Sequence, residues 1–297
     1  CLKPPETNKS SPRACGRRKL RGPHGENMII IGEKINGAIP SVKKAIAERD
    51  YKFIESLAVR QAKAGADYLD VCAGTSPEEE YEALAWLIDV VQSAVDTPIC
   101  IDSPDPRMLV KVFPLLRRPG LINSISLEGD KCEVLLPLLK ENPEWGIIAL
   151  CCDNSGIKSK AGEKAEIAFR LIERAEGFGI EPGRIHIDPL VLALSAVGDS
   201  AVNFLEAVRR IKARCPGVKV TAALSNISFG MPLRKIINTN FLTLCMQAGL
   251  DSVIADPLDR ELIATIYATE ALLARDPFCR RYNTAYRKGI LGEAKKA

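Results

Sequence analysis

The sequence has only two histidines in 297 residues, His24 and His186. That excludes a His-rich zinc site and an H-E-x-x-H pair, and a Ser-His-Asp triad would have to use His186, which lies inside an apolar run. The ten cysteines are scattered and form no C-x-x-C pair. Cys72, Cys100 and Cys151 lie in apolar runs, where a free thiol acts as a small hydrophobe. No disulfide framework emerges, and the usage fits a reducing, cytoplasmic setting. Aromatic residues make up 5% of the chain, too few for base-stacking platforms. No stretch of about 18 apolar residues exists to span a bilayer. The first residues have no apolar signal core.

Excess positive charge is also lacking where it would matter. The formal net charge is +4. Residues 1–27 hold seven basic residues against Glu6 and Glu26, a local +5, which leaves −1 for residues 28–297. The body therefore offers no electrostatic case for nucleic acid or an anionic membrane. Residues 1–27 are rich in Pro, Lys, Arg, Ser and Gly and read as a disordered basic extension. The folded domain is expected over 28–297.

From Met28 onward, short β-branched runs alternate with helical stretches. Strands are expected at Met28–Gly32, Tyr68–Cys72, Pro98–Asp102, Leu121–Ser126, Gly146–Cys151, Arg184–Asp188, Lys219–Leu224 and Ser252–Asp256. Between them, stretches such as Phe53–Ala64, Tyr81–Ala94, Ala165–Ala175, Phe204–Ile211 and Arg260–Leu273 carry apolar residues at helical spacing. The strand runs are continuously apolar, as in parallel strands covered on both faces. Eight such units in roughly 250 residues fit an α/β fold of the (β/α)₈ TIM-barrel type. A doubly wound sheet is the other fold considered, but Gly32-Glu33-Lys34-Ile35-Asn36-Gly37 lacks G-x-G-x-x-G spacing.

In such barrels chemistry gathers at the C-terminal strand ends. Here these ends read Glu33 and Asn36, then Asp70 with Ala73-Gly74-Thr75, Asp102, Asn123, Asp153 with Asn154, Asp188, Asn226 and Asp256. A ring of carboxylates and amides suits a neutral heterocycle rich in N–H donors. A phosphate would instead call for Gly-rich loops with Lys or Arg. The plain structural readings compete. Asp153 reads equally well as a turn former, Asp256-Pro257 as the cap of the following helix, and His186 as a satisfied core residue. Lys219 opens its strand at the opposite mouth, which argues against a Schiff-base role. Carboxylates on separate strands make no strong metal signature, so no metal site is assigned.

Five short motifs now stand in register. They are Met28-Ile-Ile-Ile-Gly-Glu-Lys-Ile-Asn-Gly37, Ile101-Asp102-Ser103, Ile122-Asn123-Ser124, Ile187-Asp188-Pro189-Leu190 and Leu224-Ser225-Asn226-Ile227-Ser228. Together they resemble the pterin-binding methyltransferases, nearest to the methyltetrahydrofolate:corrinoid protein methyltransferases, from Met28 to about Tyr282. The resemblance implies a pterin-binding barrel that moves a methyl group between N5 of tetrahydrofolate and the cobalt of a corrinoid. It places Asp102, Asn123 and Asp188 on the pyrimidine side of the pterin and Asn226, the catalytic amide, near N5. Arg234 falls at the pterin rim. Phe229-Gly230 departs from the acetogenic relatives, which carry amide side chains there.

Neither histidine lies in a D-x-H-x-x-G cobalt-ligand motif. The cobalamin is therefore expected on a separate corrinoid protein, with tetrahydrofolate or 5-methyltetrahydrofolate as the small-molecule substrate. The resemblance also implies a homodimer. Transfer in either direction is open, including formation of methyltetrahydrofolate during catabolism of methylated amines, betaines or ethers. Three other readings are a dihydropteroate synthase-like enzyme, a non-catalytic pterin-binding protein, and a barrel lyase or aldolase using Asp102 and Asp188 around a metal.

Overall fold

The computed structural model describes residues 27–292, so the basic extension lies outside the described residues except for Asn27. The strands are β1 (Ile29–Asn36), β2 (Tyr68–Cys72), β3 (Ile99–Asp102), β4 (Leu121–Leu127), β5 (Gly146–Asp153), β6 (Gly156–Ile157), β7 (Ile185–Asp188), β8 (Lys219–Val220) and β9 (Ser252–Ala255). All but β6 run parallel in one wall, ordered β8-β7-β5-β4-β3-β2-β1-β9, while β6 folds back antiparallel on β5. The wall closes between its two ends. Ala223 bridges Ile254, Ile254 N–H donates to Ala222 O at 2.8 Å, and Asp251 N–H donates to Val220 O at 2.9 Å. This is the expected eight-stranded barrel.

Helices α1 (Pro40–Glu48), α2 (Tyr51–Lys63), α3 (Pro77–Ala94), α4 (Pro106–Val112), α5 (Lys131–Glu141), α6 (Ala161–Gly177), α7 (Ser200–Arg214), α8 (Arg234–Ala248), α9 (Arg260–Leu272) and α10 (Arg280–Arg287) jacket the wall. Their starts follow local chemistry. Pro40, Pro77 and Pro106 stand in the first turns of α1, α3 and α4, where a missing N–H is harmless. Asp50, Asp105 and Asp259 cap α2, α4 and α9 through their carboxylates.

Period-two alternation sorts each strand into two faces. Ile30, Leu69, Val71, Ile99, Ile101, Ile122, Ile185, Ile187 and Val253 join the large core shared with the helices. Ile31, Cys100, Leu121, Ile148 and Ile254 form a separate small cluster inside the barrel. Phe204 of α7 meets Phe241 of α8 with ring centroids 5.5 Å apart, welding the helix layer over β8.

Two expectations change. The strand expected at Lys219–Leu224 stops at Val220, and Leu224–Ser228 is a 3₁₀ turn. Asn226 N–H donates to Ala223 O, Phe229 N–H to Asn226 O, and the Ser228 hydroxyl to Ser225 O. Serine and asparagine offer the backbone local partners that compete with ladder pairing. Asp256 is not the cap of α9. It accepts from Leu258 N–H at 2.9 Å and pairs with Lys34 at 3.3 Å, and Asp259 takes the capping role.

Candidate active site

The inner face of the barrel turns polar toward the C-terminal ends of the strands. Asp70 and Cys72 of β2, Asp102 of β3, Asn123 of β4 and Asp188 of β7 fall on the same alternating face as the apolar plug. Strand register sets them side by side: Asp70 pairs with Cys100, Cys72 with Asp102, Asp102 with Asn123, and Leu150 with Asp188.

Asp70 and Asn123 are buried, and Asn123 Nδ2 donates to Asp70 Oδ1 at 3.3 Å. Burial and the neighbouring Asp102 charge push Asp70 well above the carboxylate range, with the Cys100 thiol and Asn123 amide acting the other way. Asp102 is half-buried. Burial lifts it to about 6 against the hydrogen bond from Cys72. The Asp102 charge adds to burial in holding the proton on Asp70.

Asp188 is also buried, and its pKa rises to about 6 for the same reason. It accepts from Leu190 N–H at 2.7 Å and from the Ala223 backbone. Lys164 of α6, itself fully buried, donates to Pro189 O at 2.7 Å and to Leu190 O.

Asn226 sits exposed in the 3₁₀ turn over the mouth. Arg234, at the start of α8, braces that turn: Nε donates to Ser228 Oγ at 3.0 Å and an amino group to Ser225 O at 2.8 Å. Ser225 also hydrogen-bonds Glu33 of β1. Burial and the Asp256 charge raise Glu33 to about 7, with Lys34 and Arg234 opposing. β1 reaches this far because its register shifts between Gly32 and Ile35, and because Gly37 passes Ala73 so closely that a Cβ would lie 1.7 Å from the Ala73 carbonyl oxygen.

The five residues singled out from the sequence therefore fall on one mouth: three on the inner wall, and two on the segment after β8. Glu33 and Asp70 belong to the ring of polar strand ends without an individual role in the sequence, and Lys164 lies outside that ring. Asp70 was legible as an acid at the centre of the apolar run Tyr68–Cys72. Lys164 was legible as a cation on the apolar stripe of α6. Other polar residues take the plain readings. His186 shares a 2.9 Å hydrogen bond with Ser252 in the barrel floor, and burial lowers it to about 3. Asp153 accepts from Ser155 and Lys158, the Ser155 hydrogen bonds first among the causes that lower it to about 2. Among the described residues no group of three or more His, Cys, Asp and Glu could hold a metal ion.

The polar wall is a donor-and-acceptor set for a flat heterocycle, and comparison with known proteins bears on which one. Residues 35–256 match the model of the pterin binding enzymes. The chain belongs to the pterin-binding enzyme family. It is 52% identical over 266 residues to a methylcorrinoid:tetrahydrofolate methyltransferase of Eubacterium limosum, covering 89% of this chain and 98% of that one. It is 31% identical over 241 residues to methionine synthase of Mycobacterium tuberculosis, covering 77% of this chain but 20% of that much longer protein. Among solved structures, dihydropteroate synthase of Xanthomonas albilineans superposes with a TM-score of 0.64 at 19% identity, over 84% of this chain and 93% of that one. At that identity the likeness speaks for the fold of this pterin-binding family member and no further. Among the described residues no helix is long and apolar enough to cross a membrane.

Proposed function

We propose that this protein transfers a methyl group from a methylated corrinoid, carried by a separate protein, to N5 of tetrahydrofolate. The observation that carries the reading is the inward-facing set Asp102, Asn123 and Asp188 beneath Asn226, in a chain matched almost end to end by a methylcorrinoid:tetrahydrofolate methyltransferase. Asp102 and Asp188 accept from the pyrimidine N–H and amino groups. Asn123, whose amide nitrogen is turned to Asp70, offers its oxygen to the same edge.

In the forward step the N5 lone pair attacks the methyl carbon. The cobalt–carbon bond breaks with its electron pair remaining on cobalt, giving Co(I), and the N5 proton departs. Asn226 has no charge to give, so its part is a hydrogen bond that orients N5 and steadies the changing charge there. Arg234 holds the turn that carries Asn226. No protein nucleophile is needed, and most of the acceleration comes from positioning two substrates. The reverse reaction uses the same contacts. The methylcorrinoid would be supplied by an enzyme acting on methylated amines, betaines or ethers, and a homodimer is part of the same reading.

The test is direct. Purified protein is titrated with tetrahydrofolate and 5-methyltetrahydrofolate, then mixed with methylcobalamin or cob(I)alamin while the cobalt spectrum is followed. Interconversion slowed at least ten-fold by Asn226→Ala, equal to about 1.4 kcal/mol of barrier, supports the proposal. Absence of folate binding would sink it. Folate binding without any cobalt change, even with methylated corrinoid protein supplied, would favour the non-catalytic pterin-binding reading.

A further inference from the structure

Lys164 is an unusual residue for its place. It is fully buried on a helix, and among the described residues its ammonium meets backbone carbonyls and forms no salt bridge with a carboxylate. Buried lysines are rare because desolvating an ammonium is expensive. The small residues Ala161, Ala165 and Ala168 on the same buried face of α6 let the helix lie close to the barrel wall. The Lys164 side chain passes through that layer and ends on two carbonyls of one turn, Pro189 O and Leu190 O.

That turn is strained where it matters. Leu190 has φ +56°, the left-handed region that a branched side chain avoids. In this conformation its N–H points back and donates to Asp188 Oδ1 at 2.7 Å. Three facts therefore form one chain of contacts, from a buried cation to two carbonyls, from the turn to a left-handed leucine, and from its amide to Asp188.

We propose that Lys164 is a positioning residue for the folate site: it clamps the Pro189–Leu190 turn and so holds Asp188 in the orientation and ionised form that receive the pterin. This rests on the pterin reading of Asp188 given above. The charges facing Asp188 support it. Lys164 reaches it from α6, while the thiols of Cys151 on β5 and Cys245 on α8 are driven up by burial first and then by the Asp188 charge, and stay neutral. Lys164 is thus the cation that favours the carboxylate form, against the burial that raises Asp188 to about 6.

The experiment compares wild type, Lys164→Met, Lys164→Met/Leu190→Gly and Asp188→Asn. Each is checked by circular dichroism, and the dissociation constant for tetrahydrofolate is measured by calorimetry from pH 5 to 8.5. Removing the cation raises the Asp188 pKa, so Lys164→Met weakens binding at least ten-fold at pH 7 and moves the acid limb of the binding profile upward. Glycine tolerates the left-handed turn. The double variant therefore recovers part of the loss at pH 8.5 while its acid limb stays high. It is also the variant to use should Lys164→Met give no folded protein. An acid limb at the wild-type position in folded Lys164→Met or in the double variant overturns the inference. So does a loss that is the same at every pH. If Asp188→Asn itself binds tetrahydrofolate as wild type does, the pterin reading of Asp188 has failed instead.

Discussion

Asp70 illustrates how a binding site is held against the interest of the fold. A buried carboxyl whose pKa is raised binds protons in the folded state that it has lost in the unfolded one. Stability from such a group is therefore present below the unfolded value and declines as pH rises toward the folded value. Asp70, Asp102, Asp188 and Glu33 all have this sign. The empty barrel is expected to lose stability between about pH 4 and 7, and to regain some when folate takes up the acceptors. Asp70→Asn keeps an oxygen for Asn123 and removes the charge. It should stabilise the protein without ligand at pH 8, where the buried charge costs most, and much less at pH 4.5. Urea titrations at the two pH values measure this, and an equal effect at both would contradict it.

At the scale of elements, the seal between the first strand and the last helices depends on one acid. Glu270 of α9 is buried. It accepts from Met28 N–H at 2.8 Å and from Arg281 of α10. Glu270→Ala leaves a buried backbone N–H unpaired and an arginine without its counter-ion, and should cost about 3–5 kcal/mol. Chemical denaturation reads that directly. The cap of the same helix is a milder case: Asp259→Ala removes bonds to two backbone N–H groups and should cost about 1 kcal/mol. Element positions were well written in the sequence. The runs Tyr68–Cys72 and Pro98–Asp102 match β2 and β3 within a residue, because each is a short apolar stretch bounded by turn formers. The run from Lys219 is strand-like in composition as far as Leu224 but leaves the ladder after Val220, because local hydrogen bonds among Ala223, Ser225, Asn226, Ser228 and Phe229 form a 3₁₀ turn instead. That override is what lifts Asn226 out of the wall and over the mouth.

The whole barrel is least secure where it closes. β8 has two residues, and its join to β9 leans on Asp251, which accepts from Val220 N–H at 2.8 Å and pairs with Lys212 at 3.0 Å. Amide exchange is expected to be fastest in the wall at this seam, and Asp251→Ala should raise it there before the β2–β3 pairing is affected. Uniform acceleration around the barrel would contradict the weak-seam view. The eight β-α units were legible in the chain alone, and so were the motifs whose family resemblance singles out Asp102, Asn123, Asp188, Asn226 and Arg234. The units follow from composition and periodicity, and the residues from the family resemblance of motifs only a few residues long. It takes folding in three dimensions to put Asp70 behind Asn123, to let Glu33 share Ser225 with the Asn226 turn, and to bring Lys164 to the Asp188 turn from another element. Register across strands and the depth of a helix against a wall bring such residues together from distant parts of the chain, and burial then sets their protonation, a property that no local pattern encodes.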